Sequence, residues 1–145
     1  PIIFSTHPRT RARLASSEVA LDPLVRLEKP FGLPDYVRLQ MESRAVLSDS
    51  GTITEEASIL DFAAVNIRDT HERPEGMEEA VVPITGLNAL RVLQALDLLD
   101  SQTSVRASRQ RLVDDYSSDN VSDKVARIIL SHIDYVHRVV WGESV

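Results

Sequence analysis

The chain of 145 residues contains no cysteine. That excludes a disulfide framework, a thiolate nucleophile and a thiolate zinc site, and it fits a reducing cytoplasm. No apolar run reaches the roughly 18 residues that a spanning helix needs, so nothing in the sequence predicts a membrane segment. Residues 1–4 are apolar but too few for a secretory signal, and no basic leader precedes them. Positive charge is in deficit: 16 Lys and Arg stand against 22 Asp and Glu, for a net charge of −6. A chain so acidic is not a nucleic-acid binder as a whole. Internal repeats and low-complexity tracts are missing, and so is an initiating methionine before Pro1, which reads as a fragment of a longer protein.

What is present suits one domain with a single core. Hydrophobic residues make up 43% and charged residues 26%, an ordinary globular balance. The arginines cluster: Arg9, Arg11 and Arg13 lie together, and Arg68 and Arg73 flank another loop. Local arginines in an acidic chain suit a small anionic ligand, the alternative being solvated guanidinium groups paired with nearby carboxylates.

Short β-branched runs alternate with helical stretches. Strands are expected at residues 1–5, 25–28, 45–47, 63–67 and around Ala80-Val81-Val82. Helices are expected at 9–16, 35–43 and 52–60, the last with Ile53, Ala57 and Leu60 at helical spacing. Beyond Gly86 the pattern is wholly helical. Leucines from Leu90 to Leu99 mark one helix, residues 104–113 a shorter one, and a stripe from Val121 to Val140 a long one capped by Asp119 or Ser122. This alternation predicts an α/β fold with a parallel sheet covered by helices on both faces. Ligands of such sheets bind beyond the carboxyl ends of the strands. His7, Ser50-Gly51 and the loop from Arg68 to Arg73 follow three different strands there.

Four segments could carry chemistry. Ser48-Asp49-Ser50-Gly51 joins a strand to a helix without a bulky residue, so ligand oxygens could approach free amides and the helix dipole; an ordinary serine cap is the alternative. Glu56 falls near the apolar face of the following helix, where it could accept from ribose hydroxyls, while Glu55 points away; both acids could equally serve the helix dipole. His7-Pro8-Arg9 sets an imidazole and a guanidinium at a strand end, suited to proton transfer and phosphate binding. The segment from Arg68 to Gly76 holds two arginines, a histidine and three carboxylates, enough to clamp an anion or to bridge to one another. His132 and His137 lie on the last helix at a spacing unsuited to a metal, and no metal site is expected.

Ser48-Asp49-Ser50-Gly51-Thr52-Ile53-Thr54-Glu55-Glu56 and Arg68-Asp69-Thr70-His71-Glu72-Arg73-Pro74-Glu75-Gly76, with His7-Pro8-Arg9-Thr10-Arg11, resemble motifs of the non-hydrolysing UDP-N-acetylglucosamine 2-epimerases. The commoner family form has Gly-Gly-Ile-Gln where this chain has Gly51-Thr52-Ile53-Thr54. The variant here is similar to the branch making UDP-N-acetyl-L-fucosamine or UDP-diacetamido-mannuronate for surface polysaccharides. Val37 stands where the family usually has an allosteric histidine, so activation by UDP-N-acetylglucosamine is not implied.

The resemblance implies two Rossmann-like domains in the glycosyltransferase-B arrangement, with this chain as the carboxy-terminal, UDP-binding one. The amino-terminal catalytic domain, and the first strand and helix of this domain, would precede Pro1. Ser50, Gly51 and Arg9 would serve UDP's phosphates, Glu56 its ribose and Tyr36 its uracil, with His7 and Arg73 as catalytic residues facing the sugar phosphate. No cofactor is implied. The reaction would eliminate UDP and add it back with C2 inverted, in the cytoplasm, and an open sheet edge could recruit a second copy as a homodimer. A glycosyltransferase of the same architecture is the alternative reading, and a non-catalytic interaction domain a third.

Overall fold

The computed structural model describes residues 1–70, 73–106 and 112–143. Its first two thirds follow the expected alternation: β1 (Ile2–Ser5), α1 (Pro8–Ala15), β2 (Val25–Glu28), α2 (Leu33–Glu42), β3 (Val46–Ser48), α3 (Ile53–Leu60) and β4 (Ala64–Asn66). Pro8 opens α1 and Pro34 lies in the first turn of α2, positions where a missing N–H removes no helical hydrogen bond. α4 (Pro74–Glu78), α5 (Ala89–Arg106), a 3₁₀ turn (Asp114–Tyr116) and α6 (Val121–Tyr135) complete the order, and Val136–Val140 continue α6 as a π turn. Among the described residues no helix is long and apolar enough to cross a membrane.

Strand pairing is parallel, as the alternation predicts, but it divides into two sheets. β1 pairs with β2 from Ile2↔Val25 to Ser5↔Glu28, and β3 pairs with β4 from Val46↔Ala64 to Ser48↔Asn66. Each pair is joined by a helix-containing crossover, the connection that parallel neighbours require. All three residues of β4 are buried. Ala64 faces a cluster with Ile53, Ala57, Phe62, Val81, Val82 and Val113, while Val65 packs with Ala95 and Leu99 of α5. Alternate side chains of one strand thus enter two apolar layers, and helices α3 and α5 cover opposite faces. β1 has no such cover: Ile2, Ile3 and Phe4 are all exposed.

Three expectations need correction. Ala80-Val81-Val82 is not a strand; Ile84, further on, forms a bridge to Asn66. The run is the exit from α4. Ala80 has φ +51, its N–H donates to the Met77 carbonyl, and the Val81 N–H donates to Gly76. This paired closure of a helix end is a Schellman motif. Val81 and Val82 are buried because they close that helix onto α3, so burial rather than ladder pairing explains their apolar character.

The second correction concerns the helix expected at 104–113. α5 runs on through Arg106, residues 107–111 lie outside the described residues, and Leu112 and Val113 are not helical. Third, neither Asp119 nor Ser122 caps α6; Asn120 occupies that position without a side-chain cap. The apolar stripe of α6 is real, yet Val121, Val125, Ile128, Ile129 and Ile133 are all exposed.

Candidate functional site

The turn after β3 is built from hydroxyl groups. Ser48 Oγ accepts the Ser50 N–H at 3.1 Å, and Ser50 Oγ accepts the Thr52 N–H at 3.3 Å. These bonds to nearby amides hold the turn open between strand and helix. Thr52, not Ser50, precedes α3 as its N-cap, and its side chain makes no capping bond. The Ser50 hydroxyl instead takes up the N–H of Thr52 at the entry to the helix, and Ser50 itself is exposed beside the half-buried Gly51.

Thr52 Oγ1 instead donates to Glu56 Oε1 at 2.7 Å and lies 3.0 Å from Ser50 Oγ. The other carboxylate oxygen, Glu56 Oε2, accepts from Gln40 Nε2 of α2 at 2.6 Å. One turn earlier on α2, the half-buried Tyr36 has its phenol pKa raised, first by burial and then by the charge of Glu56. Ser50, Thr52, Glu56 and Gln40 form one hydrogen-bonded group at the turn after β3, and Tyr36 lies near enough to feel the charge of Glu56. Sequence reasoning singled out Ser50, Glu56 and Tyr36. It missed the roles of Thr52 and Gln40, which no local pattern marks.

A second group lies on the next face of α3. Arg73, just before α4, donates through Nε to Glu55 Oε1 at 2.7 Å, and Tyr116 donates to Glu75 Oε1 at 2.8 Å. The bond to Glu55 holds the Arg73 guanidinium even more firmly protonated than usual. Burial, followed by the bond to Glu75, raises the Tyr116 phenol above the ordinary tyrosine range. Glu55 turns away from the face of Glu56, as its helical position implies, and there it meets the arginine loop. Close packing sets this contact, because a Cβ on Gly76 would come 2.1 Å from Thr54 Cγ2. Only glycine lets α4 approach α3 so closely. His71 and Glu72 of the same loop lie outside the described residues.

His7 and Arg9 stand apart from both groups. His7 is exposed and is the N-cap of α1, with Nδ1 accepting the Arg9 N–H at 3.3 Å. Arg9 is exposed too. Among the described residues no hydrogen bond or ion pair joins either of them to the residues of α3. Their neighbour Arg11 turns inward and donates to the Thr6 hydroxyl at 3.1 Å, while buried Thr6 donates to the Glu28 carbonyl at 2.9 Å. Through Arg11, α1 is thus tied to the end of the β1–β2 sheet. Arg68 follows β4, where its N–H donates to Asn66 Oδ1 at 3.0 Å.

Among the described residues no cluster of three or more potential metal ligands occurs. The arrangement is suited to polar binding: oriented hydroxyls at a strand-to-helix turn, a carboxylate fixed from two sides, and an arginine one loop away.

Comparison with known proteins gives a consistent picture. Residues 1–130 match the family described as UDP-N-acetylglucosamine 2-epimerase. The UDP-N-acetylglucosamine 2-epimerase of Methanocaldococcus jannaschii is 31% identical over 102 residues, covering 68% of this chain and 28% of that protein. The Bacillus subtilis relative of the same description is 27% identical, over 77% of this chain and 29% of its own length. Among solved structures, the epimerase from Rickettsia bellii superposes with a TM-score of 0.85 at 47% identity, over 98% of this chain and 39% of that one. The M. jannaschii enzyme in complex with UDP-GlcNAc and UDP gives 0.73 at 25% identity, over 90% and 35%. The chain thus spans well under half the length of these relatives.

Proposed function

Because the chain belongs to the UDP-N-acetylglucosamine 2-epimerase family, we propose that it supplies the UDP-binding part of a longer isomerase that inverts C2 of a UDP-sugar. The observation that carries this reading is the first turn of α3, where Glu56 is held by Gln40 and Thr52 while adjacent Glu55 holds Arg73. One helix start thereby presents a nucleoside acceptor and a phosphate-directed arginine together.

In this reading Glu56 accepts from the ribose hydroxyls and Tyr36 lies beside the uracil. Ser50, Gly51 and the first amides of α3 receive the diphosphate, where unpaired N–H groups and the helix dipole favour negative charge. Arg73 stabilises the leaving UDP, and the exposed His7 and Arg9 beyond the end of β1 supply further donors to the sugar phosphate. A base removes the C2 proton, the electron pair forms the C1=C2 bond of a glycal, and the C1–O bond to UDP breaks. UDP then re-adds to C1 while a proton enters the opposite face of C2. That sequence needs an acid and a base on opposite faces of the sugar, and donors wherever charge grows on the phosphate. The acidic proton-transfer groups come from an amino-terminal domain outside these residues.

The run Thr52-Ile53-Thr54 favours a modified UDP-N-acetylhexosamine of the kind used for surface polysaccharides. Val37, half-buried on α2, cannot donate or accept a proton as an allosteric histidine would, so activation by UDP-N-acetylglucosamine is not part of the reading. The lack of cysteine and the nucleotide-sugar substrate both suit the cytoplasm.

The test uses the full-length protein with UDP-N-acetylglucosamine and its modified analogues in deuterium oxide. Deuterium is expected at C2 of both epimers, with turnover sharply reduced by Arg73→Ala and by Glu56→Gln. Sugar transfer to an acceptor without deuterium uptake would overturn the reading in favour of a glycosyltransferase.

A further inference from the structure

Gln40 is only 3% exposed, yet its side chain is half satisfied. Nε2 donates to Glu56 Oε2 at 2.6 Å, while Oε1 is buried with no hydrogen-bond partner among the described residues. The amide has no freedom to improve this. An ionised carboxylate only accepts, so the NH₂ must face Glu56 and the carbonyl is left toward the interior. An apolar residue at this position of α2, beside Leu39 and one turn from Tyr36, would avoid the penalty of an orphaned buried acceptor. A local cost of this kind is expected where a residue serves a site.

Thr52 completes the arrangement from the other side, donating to Glu56 Oε1 at 2.7 Å. Each carboxylate oxygen has two lone-pair directions. Gln40 and Thr52 occupy one on each oxygen, which fixes the carboxylate plane and leaves one acceptor direction free on each. Two neighbouring acceptors at a set angle match two vicinal hydroxyl donors.

We propose that Gln40 and Thr52 orient the Glu56 carboxylate to receive the 2′- and 3′-hydroxyls of a ribose as a pair, so that Gln40 is a positioning residue for selection of ribose over 2′-deoxyribose. The proposal rests on the reading of Glu56 as the ribose-binding acid. Gln40 touches no ligand in this scheme; it acts through Glu56.

The experiment compares binding of UDP and 2′-deoxy-UDP to the full-length protein by calorimetry. Wild type prefers UDP. Gln40→Met, which keeps the volume and removes the donor, is expected to shrink that preference by about tenfold or more, the range for losing a hydrogen bond to a charged group. Thr52→Val is expected to act in the same direction, and because Thr52 is exposed it decides the question even if Gln40→Met fails to fold. In a Glu56→Gln background neither change should alter the ratio further. A merely structural Gln40 would weaken both nucleotides by the same factor; an unchanged ratio in both variants overturns the proposal and leaves the UDP-binding reading intact. Absence of UDP binding by wild type would overturn that reading and this proposal together.

Discussion

Ser58 Oγ accepts the backbone N–H of Val113 at 3.1 Å inside the layer between α3 and the segment leading to the 3₁₀ turn. Both residues are buried, so Ser58→Ala would leave an amide without an acceptor. That should destabilise the full-length protein by about 1–3 kcal/mol in chemical denaturation, with UDP affinity unchanged because Ser58 lies on the inner face of α3. Sequence reasoning separates such residues poorly. Helical spacing brought Glu56 to notice because it falls beside Ile53 and Leu60. The same spacing turned Glu55 to another face but gave it no partner, since Arg73 comes from a loop that no periodicity positions. Gln40 carries no mark of its role in the sequence; its link to Glu56 crosses from one helix to another and has no local pattern.

At the scale of elements, α4 is the piece that sequence patterning missed. Pro74 and Gly76 read as loop punctuation, yet Pro74 starts the helix and Gly76 is its contact with Thr54. The helix ends on Ala80 at φ +51, a position where glycine is usual and where a side chain costs about 1–2 kcal/mol. Glycine loses about 0.4–1 kcal/mol through its freer unfolded chain, so the backbone term wins. Ala80→Gly is expected to stabilise the protein by about 0.5–1 kcal/mol, seen as a higher denaturation midpoint with an unchanged slope. Elements with strong local signals fared better: β2 falls on the expected residues 25–28, and α3 begins one residue late. Strand length and helical spacing are local properties, whereas the partner of a short apolar run is not.

For the molecule as a whole, alternation of strand and helix made the parallel α/β class legible. Division into two sheets was not, because nothing in a strand of three or four residues names its neighbour. The outer surface is unusually apolar along α6, where Ile128, Ile129 and Leu130 are 59%, 56% and 77% exposed. A contiguous patch of this kind is sticky in water. The 145-residue chain expressed alone is expected to bind a hydrophobic dye strongly, and Ile129→Glu with Ile133→Glu should reduce that fluorescence markedly. Weak dye binding by the unaltered chain would show that the stripe is covered in solution.

Glu55 and Glu56 are consecutive, so helical geometry places them about 100° apart around the axis of α3. One reaches the arginine loop and the other Gln40 of α2. A rigid roll of that helix would disturb both grips at once, since both side chains ride on one backbone. On the proposed UDP-binding reading, product departure by such a roll would be a single concerted letting-go, with no stage at which the base end is loose while the phosphate end stays clasped.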